Sequence, residues 1–136
     1  MGSYTKADLI RSKKFITRQD RAFISSSNIK INPDADIMLS LKEQEGFEKF
    51  HFTTNVPSLT LKQYQNADLN IHIYFYQKTF MRYEIVWLVG TASQSQDGLE
   101  FTPISGIAYQ RGYQLGTKNF TVTHAVIPIS DISRGR

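Results

Sequence analysis

Residues 69–129 read LNIHIYFYQKTFMRYEIVWLVGTASQSQDGLEFTPISGIAYQRGYQLGTKNFTVTHAVIPI, a succession of three or four long β-type runs joined by short turns. Aromatic and β-branched side chains recur at alternate positions, which is the period of a pleated strand. An Asp97-Gly98 pair within a polar stretch is a hairpin signal. The sequence therefore predicts a curved antiparallel sheet in this part of the chain.

Within this region the sequence predicts a central strand and a longer loop. Residues 82–89 carry apolar side chains on both faces, which is typical of a central strand that is covered on both sides. Residues 111–118 contain Gly112 and Gly116, and we expect a longer loop there, followed by a last strand over residues 120–129.

The N-terminus predicts one amphipathic helix. Thr5 followed three residues later by Asp8 resembles a capping box. An apolar stripe recurs at a spacing of seven residues, formed by Leu9, Ile16 and Phe23. We therefore place a helix within residues 4–24.

Residues 35–46 allow two interpretations. Asn32-Pro33 with acidic residues after it is typical of a helix start. Apolar residues at alternate positions indicate a strand instead: Ala35, Ile37, Leu39 and Leu41. We favour the strand, because a helix would expose Leu39 to water.

The chain has 136 residues and is most simply one domain, 1–136, with residues 28–130 mainly in the antiparallel sheet. Met1-Gly2-Ser3 is typical of a cloning scar, and if it is one, a leader, a membrane anchor or a whole upstream domain could have been removed. The absence of cysteine excludes disulfides, thiolate zinc ligands and a cysteine nucleophile. The predicted class is α+β, an N-terminal amphipathic helix packed on a curved, cone-like antiparallel sheet. An all-β sandwich or barrel is the alternative.

Positive charge is concentrated at the N-terminus. The net charge is +4, and residues 1–30 hold seven basic and two acidic side chains. The basic interaction face predicted on the helix comprises Lys13, Lys14, Arg18 and Arg21. A nucleic acid, an anionic membrane surface or a protein partner would fit such a face. Because the basic residues do not continue onto the predicted sheet, nucleic acid is the weaker interpretation.

A second candidate surface is the strand face shared by His72, Tyr74 and Tyr76, which could line a small-molecule cavity. Alternating aromatic residues are more often part of a core. The three histidines lack the spacing of a zinc site, so we expect neither a metal nor a cofactor: His51, His72 and His124.

Glu84 lies within the strand predicted to be central, where a carboxylate needs a partner. Arg82 or Arg111 could supply it, and we favour a structural ion pair over a catalytic acid. No nucleophile elbow or phosphate-binding loop is present, and we assign no catalytic residue.

One helix before a long antiparallel meander resembles the cone-shaped fold of nuclear transport factor two. The last part of the chain is similar to the extracytoplasmic domains of the bitopic assembly factors of type IV secretion systems, which end in a Leu-Gly-Phe-x-Val strand followed by proline. The corresponding residues are Leu115-Gly116, Phe120-Thr121-Val122 and Ile127-Pro128, with three residues intruding after Gly116. The family's Asn-Pro before Leu-Gly is replaced by Tyr113-Gln114.

This resemblance implies a non-enzymatic scaffold of a bacterial secretion or conjugation channel. Such a domain stands outside the cytoplasmic membrane on a single upstream anchor, self-associates and contacts other channel proteins. The matched residues are interpreted as core, so no functional residue carries over. The alternatives are a small-molecule-binding or enzymatic domain on the same sheet, and a nucleic-acid-binding or capsid-like β-domain with a basic N-terminal arm.

Overall fold

The computed structural model describes residues 4–26, 30–55, 70–94 and 98–134, and most of this part of the chain is antiparallel strand. The elements follow in the order α1 (Lys6–Thr17), β1 (Arg21–Ile24), β2 (Ile37–Glu45), β3 (Lys49–Thr53), β4 (Ile71–Thr79), β5 (Arg82–Gln94), β6 (Gly98–Leu115), β7 (Lys118–Pro128) and α2 (Ile129–Arg134). Residues 58–63 alternate between polar and apolar side chains, which predicts a short strand, but they lie outside the described residues.

The strands form one antiparallel sheet that closes on itself. Their order is β3-β2-β1-β4-β5-β6-β7, and β3 also pairs with β6. In this seam Phe52 lies opposite Leu99 and His51 opposite Glu100. Six strands therefore make a ring, and β7 extends it from residues 106–115 of β6. A helix with a curved antiparallel sheet is thus confirmed, and the closure also fits the all-β alternative.

Phenylalanine rings fill the inside of this ring. Phe50 on β3 lies 5.8 Å from Phe75 on β4, measured between ring centroids, although these two strands are not neighbours in the sheet. Phe52 also reaches Phe75, at 6.4 Å, and Phe101 packs on Phe50 at 6.5 Å. All four rings are buried, so the interior is a packed hydrophobic core.

The helix α1 starts as predicted but ends earlier. The Thr5 hydroxyl accepts a hydrogen bond from the Asp8 amide, and the Asp8 carboxylate accepts one from the Thr5 amide, which completes the capping box. The helix ends at Thr17, and residues 21–24 form β1, where Phe23 pairs with Tyr74. The predicted extension to residue 24 is wrong because the seven-residue spacing runs across a helix and into a strand.

Of two further predictions about strands, one is confirmed and one is wrong. Residues 37–45 form β2 with Leu39 buried, which confirms the strand interpretation. The loop expected over residues 111–118 is wrong, because β6 continues to Leu115 and only a tight turn precedes β7. At Gly112 a Cβ atom would lie 2.1 Å from the Phe120 carbonyl oxygen, so this glycine serves the close approach of two strands.

Candidate functional site: a basic cleft and an apolar hairpin end

A cleft of about 370 Å³ lies between α1 and the sheet. The helix side contributes Arg11, Lys14 and Arg18, which follow one another at the spacing of a single helix face. The sheet side is lined by β5 and β6, with Arg82, Tyr83, Glu84, Arg111, Gly112 and Tyr113. We call this set the basic cleft, since it gathers five cationic side chains around one carboxylate.

Among the described residues, Glu84 is the one carboxylate that lines the basic cleft, so the cleft has an excess of positive charge. Ion pairs of the described residues involve side chains outside the cleft, among them Arg21 with Asp20, Lys49 with Glu100, and His51 with Glu45 and Glu100. The Nε atom of Arg111 is buried and has no hydrogen-bond partner in the part of the chain that the structure describes. Buried guanidinium donors are normally satisfied, so this one needs an explanation.

Glu84 is held by a tyrosine and not by an arginine. The Tyr109 hydroxyl donates a hydrogen bond of 2.6 Å to its Oε2 atom. Burial and this hydrogen bond raise the pKa of Tyr109, so the phenol stays protonated and remains a donor. The predicted ion pair with Arg82 or Arg111 is wrong: Arg111 lies opposite Glu84 in the strand register, but Tyr109 reaches the carboxylate diagonally.

The structure divides the basic face that the sequence predicted. Lys14 and Arg18 line the basic cleft, whereas the Lys13 ammonium lies 5.7 Å from the centroid of the Phe47 ring. Arg21 lies on β1, with its Nε atom 3.8 Å from Asp20. Arg11 was missed, although its spacing to Lys14 and Arg18 was visible in the sequence. Arg82 and Arg111 join the cleft only through the pairing of β5 with β6.

His72, Tyr74 and Tyr76 share the face of β4 that points away from the ring interior. Tyr74 is fully buried there, with its ring centroid 5.2 Å from that of Phe23 and 5.7 Å from that of Trp87. The Trp87 indole donates a 2.9 Å hydrogen bond to His72 Nδ1, and burial lowers the pKa of His72. A groove of about 460 Å³ on this face is lined by other residues, among them Ile85, Trp87 and His124.

Tyr74 also anchors the segment that precedes β2. Its hydroxyl donates a 2.6 Å hydrogen bond to Asp36 Oδ2, which accepts a second one from the Asn32 amide at 2.9 Å. The amide and hydroxyl of Ser26 donate to the other oxygen, Oδ1. Burial by itself would raise the pKa of Asp36, but these hydrogen bonds outweigh it and hold the pKa below its ordinary value.

This arrangement predicts a pH-dependent contribution from Tyr74. A carboxyl whose pKa is lowered by folding stabilises the native state above its unfolded pKa, near 4, and this stabilisation is lost as the pH falls through the folded pKa. We expect Tyr74→Phe to lower the free energy of unfolding by about 1–2 kcal/mol at pH 7 and by less at pH 3. Urea unfolding at both pH values measures this, and an equal loss at both would contradict the role of the Asp36 carboxylate.

A second surface is apolar and lies where two hairpins end together. The turn between β4 and β5 contacts β6 through a 2.7 Å hydrogen bond from the Gln114 amide to the Met81 carbonyl. Large apolar side chains are exposed here, namely Phe80, Met81, Tyr113, Leu115, Phe120 and Val122. We call this set the apolar hairpin end. Leu115, Phe120 and Val122 were interpreted as core in the sequence, and their exposure corrects that interpretation.

The edge of β7 completes this surface. Among the described strands β7 pairs only with β6, so its other edge carries backbone groups without a strand partner. A bulge at Val122 interrupts its pairing with β6, where the register shifts between Arg111 and Gly112. Such bulges bend a strand locally and limit edge-to-edge contact to the segments on either side.

The contacts of His51 are with two glutamates, Glu45 and Glu100. Within residues 4–26, 30–55, 70–94 and 98–134 no three histidine, aspartate or glutamate side chains are grouped as metal ligands. No helix in these ranges is long and apolar enough to cross a membrane.

No family model matches this chain, and neither the curated proteins nor the solved structures show significant similarity to it. The basic cleft and the apolar hairpin end are therefore the two surfaces from which function can be inferred.

Proposed function

We propose that this chain is a non-catalytic assembly module that self-associates through the edge of β7 and the apolar hairpin end. The observation that carries this proposal is the exposure of several large apolar side chains next to β7, one edge of which has no strand partner among the described residues. Half of the surface of Phe120 and 86% of that of Phe80 are exposed to solvent. Apolar patches of this kind mark contact sites in soluble proteins.

The edge of β7 that does not pair with β6 indicates how two copies would bind each other. A strand edge presents amide and carbonyl groups that a second strand satisfies by pairing. When the second strand is β7 of another copy, antiparallel pairing gives a twofold contact in which each copy contributes the same residues. Phe120 and Leu115 of the two copies then bury one another beside the new strand pair.

The cellular setting is also a proposal. The stretch that resembles the type IV secretion assembly factors forms the turn between β6 and β7 and the strand β7 itself. The resemblance supports an extracytoplasmic scaffold component of a secretion or conjugation channel, with a cone-like fold, held at the membrane by an upstream anchor. Other channel proteins would then be its partners in addition to its own copies.

A charge placed at the centre of the apolar hairpin end tests self-association. We expect Phe120→Glu to weaken the association constant by at least about tenfold, because the interface would have to bury an unpaired carboxylate. Sedimentation equilibrium over a range of protein concentrations measures this.

Met38→Glu is the matched control, since Met38 is 48% exposed on β2 and lies outside the apolar hairpin end, whereas Phe120 is 50% exposed. A monomer at every concentration for the unchanged chain would overturn the proposal. Equal weakening by the two substitutions would also contradict it, because the contact would then lie elsewhere.

A further inference from the structure

We propose that the basic cleft binds a small tetrahedral oxyanion, either phosphate itself or the phosphoryl group of a monoester. This ligand site does not depend on the self-association proposed above, although the two surfaces share Tyr113. The observations that carry it are the excess positive charge of the cleft, the buried Nε atom of Arg111 that has no partner among the described residues, and the volume between α1 and the sheet.

The charges of the basic cleft repel one another. Arg82 and Arg111 project from neighbouring strands on the same face, and the helix adds Arg11, Lys14 and Arg18 from the opposite side. The carboxylate among them, Glu84, already accepts a hydrogen bond from Tyr109. Like charges held close together reduce stability, and a bound anion relieves that repulsion.

Arg111 points to the chemistry of the anion. Its position is fixed because it lies within β6, between β5 and β7. A guanidinium group offers five donors in a planar fork, which matches two oxygens of a phosphate or carboxylate. The buried Nε donor of Arg111 has no acceptor among the residues that the structure describes, and an oxyanion that enters the cleft far enough to reach this atom would satisfy it.

The size and lining of the cleft favour a small ligand. Its volume of about 370 Å³ exceeds that of one tetrahedral oxyanion and leaves room for a small organic substituent. Gly112 lines the sheet side with its backbone, and the half-exposed Tyr113 ring lies at the border of the cleft. A phosphoryl group would contact the arginines, and a substituent would lie against Tyr113.

The test is a titration of the full chain with sodium phosphate, followed by NMR of the arginine Nε–Hε resonances. Sodium chloride at equal ionic strength is the reference, because it reproduces general screening of charge but not tetrahedral recognition. We expect a saturable shift of the Arg111 resonance with phosphate and none with chloride. Glycerol phosphate in place of phosphate shows whether a monoester binds more tightly than the free anion.

Substitutions locate the site. Arg111→Gln is expected to weaken phosphate binding by about tenfold or more, as loss of a charged hydrogen bond does. Arg18→Gln, on the exposed side of the cleft, should weaken phosphate binding by a few-fold. Because Arg18 is exposed, this variant tests the site even if Arg111→Gln does not fold. Arg21→Gln is the matched control, since Arg21 is a basic residue outside the cleft. The affinity of this variant for phosphate should equal that of the unchanged chain.

Three results would overturn the proposal. The first is the absence of saturable binding, and the second is an equal response to chloride and phosphate. The third is binding of a single-stranded oligonucleotide without binding of phosphate or its monoester, which would make the cleft part of a nucleic-acid surface.

Discussion

Replacing Phe75 by alanine is expected to lower the free energy of unfolding by about 3–5 kcal/mol. Phe75 is completely buried and contacts Phe50 and Phe52, which project into the interior from the opposite side of the closed sheet. Removing the phenyl group of Phe75 leaves a cavity between β3 and β4. The paired strands around this cavity cannot readily move in to fill it. Urea unfolding followed by tryptophan fluorescence, which reports on Trp87, measures the change.

The control for this substitution is Phe80→Ala. It deletes the same atoms from a side chain that is 86% exposed, so we expect a change within about 0.5 kcal/mol when both variants are measured at a protein concentration at which the chain is monomeric. A loss of less than about 1 kcal/mol for Phe75→Ala would mean that this ring does not lie in a packed interior.

Gly98→Ala should open the seam that closes the sheet. A Cβ atom at this position would lie 1.9 Å from the Phe52 carbonyl oxygen and 2.8 Å from Thr53 Cα, and both are backbone atoms of β3. The clash can be relieved only by separating β3 from β6, so we expect a loss of about 3 kcal/mol in the free energy of unfolding. Hydrogen exchange of the β3 amides should also become faster.

Gly116→Asn serves as the control for this second substitution. Gly116 has a φ of 63° and no atom within 4 Å of an added Cβ, and asparagine tolerates this conformation. We expect it to change stability by less than about 1 kcal/mol. If Gly98→Ala were equally mild, β3 and β6 would not approach as closely as the structure shows.

Individual strands and the start of the helix could be predicted from the sequence, because local patterns determine them. Alternation of apolar residues gave the strands β2, β4 and β5, and the pair Thr5 and Asp8 gave the start of α1, because both signals involve near neighbours in the chain. The closure could not be predicted in the same way. Pairing of Phe52 with Leu99 joins residues far apart in the sequence, and no local pattern specifies which edges meet.

The candidate site shows the same division. Lys14 and Arg18 were recognised from helical spacing, whereas Arg82 and Arg111 meet only through the register of β5 against β6. The partner of Glu84 was missed because an arginine is the simpler expectation for a carboxylate. The diagonal contact of Tyr109 depends on the register of β5 against β6, which the sequence does not reveal. The apolar hairpin end was hidden because alternation does not reveal which face of a strand lacks a cover.

The sheet closes through β3 and β6, and we propose that this closure leaves β7 as the edge for assembly. Hydrogen exchange by NMR, recorded residue by residue at low and high protein concentration, tests both halves together. We expect slow exchange for the hydrogen-bonded amides of residues 50–53 and 98–101 at every concentration. Those amides of β7 that do not donate to β6 should exchange rapidly at low concentration and slowly at high concentration. Rapid exchange throughout β3, or β7 edge amides that remain unprotected at every concentration, would contradict it.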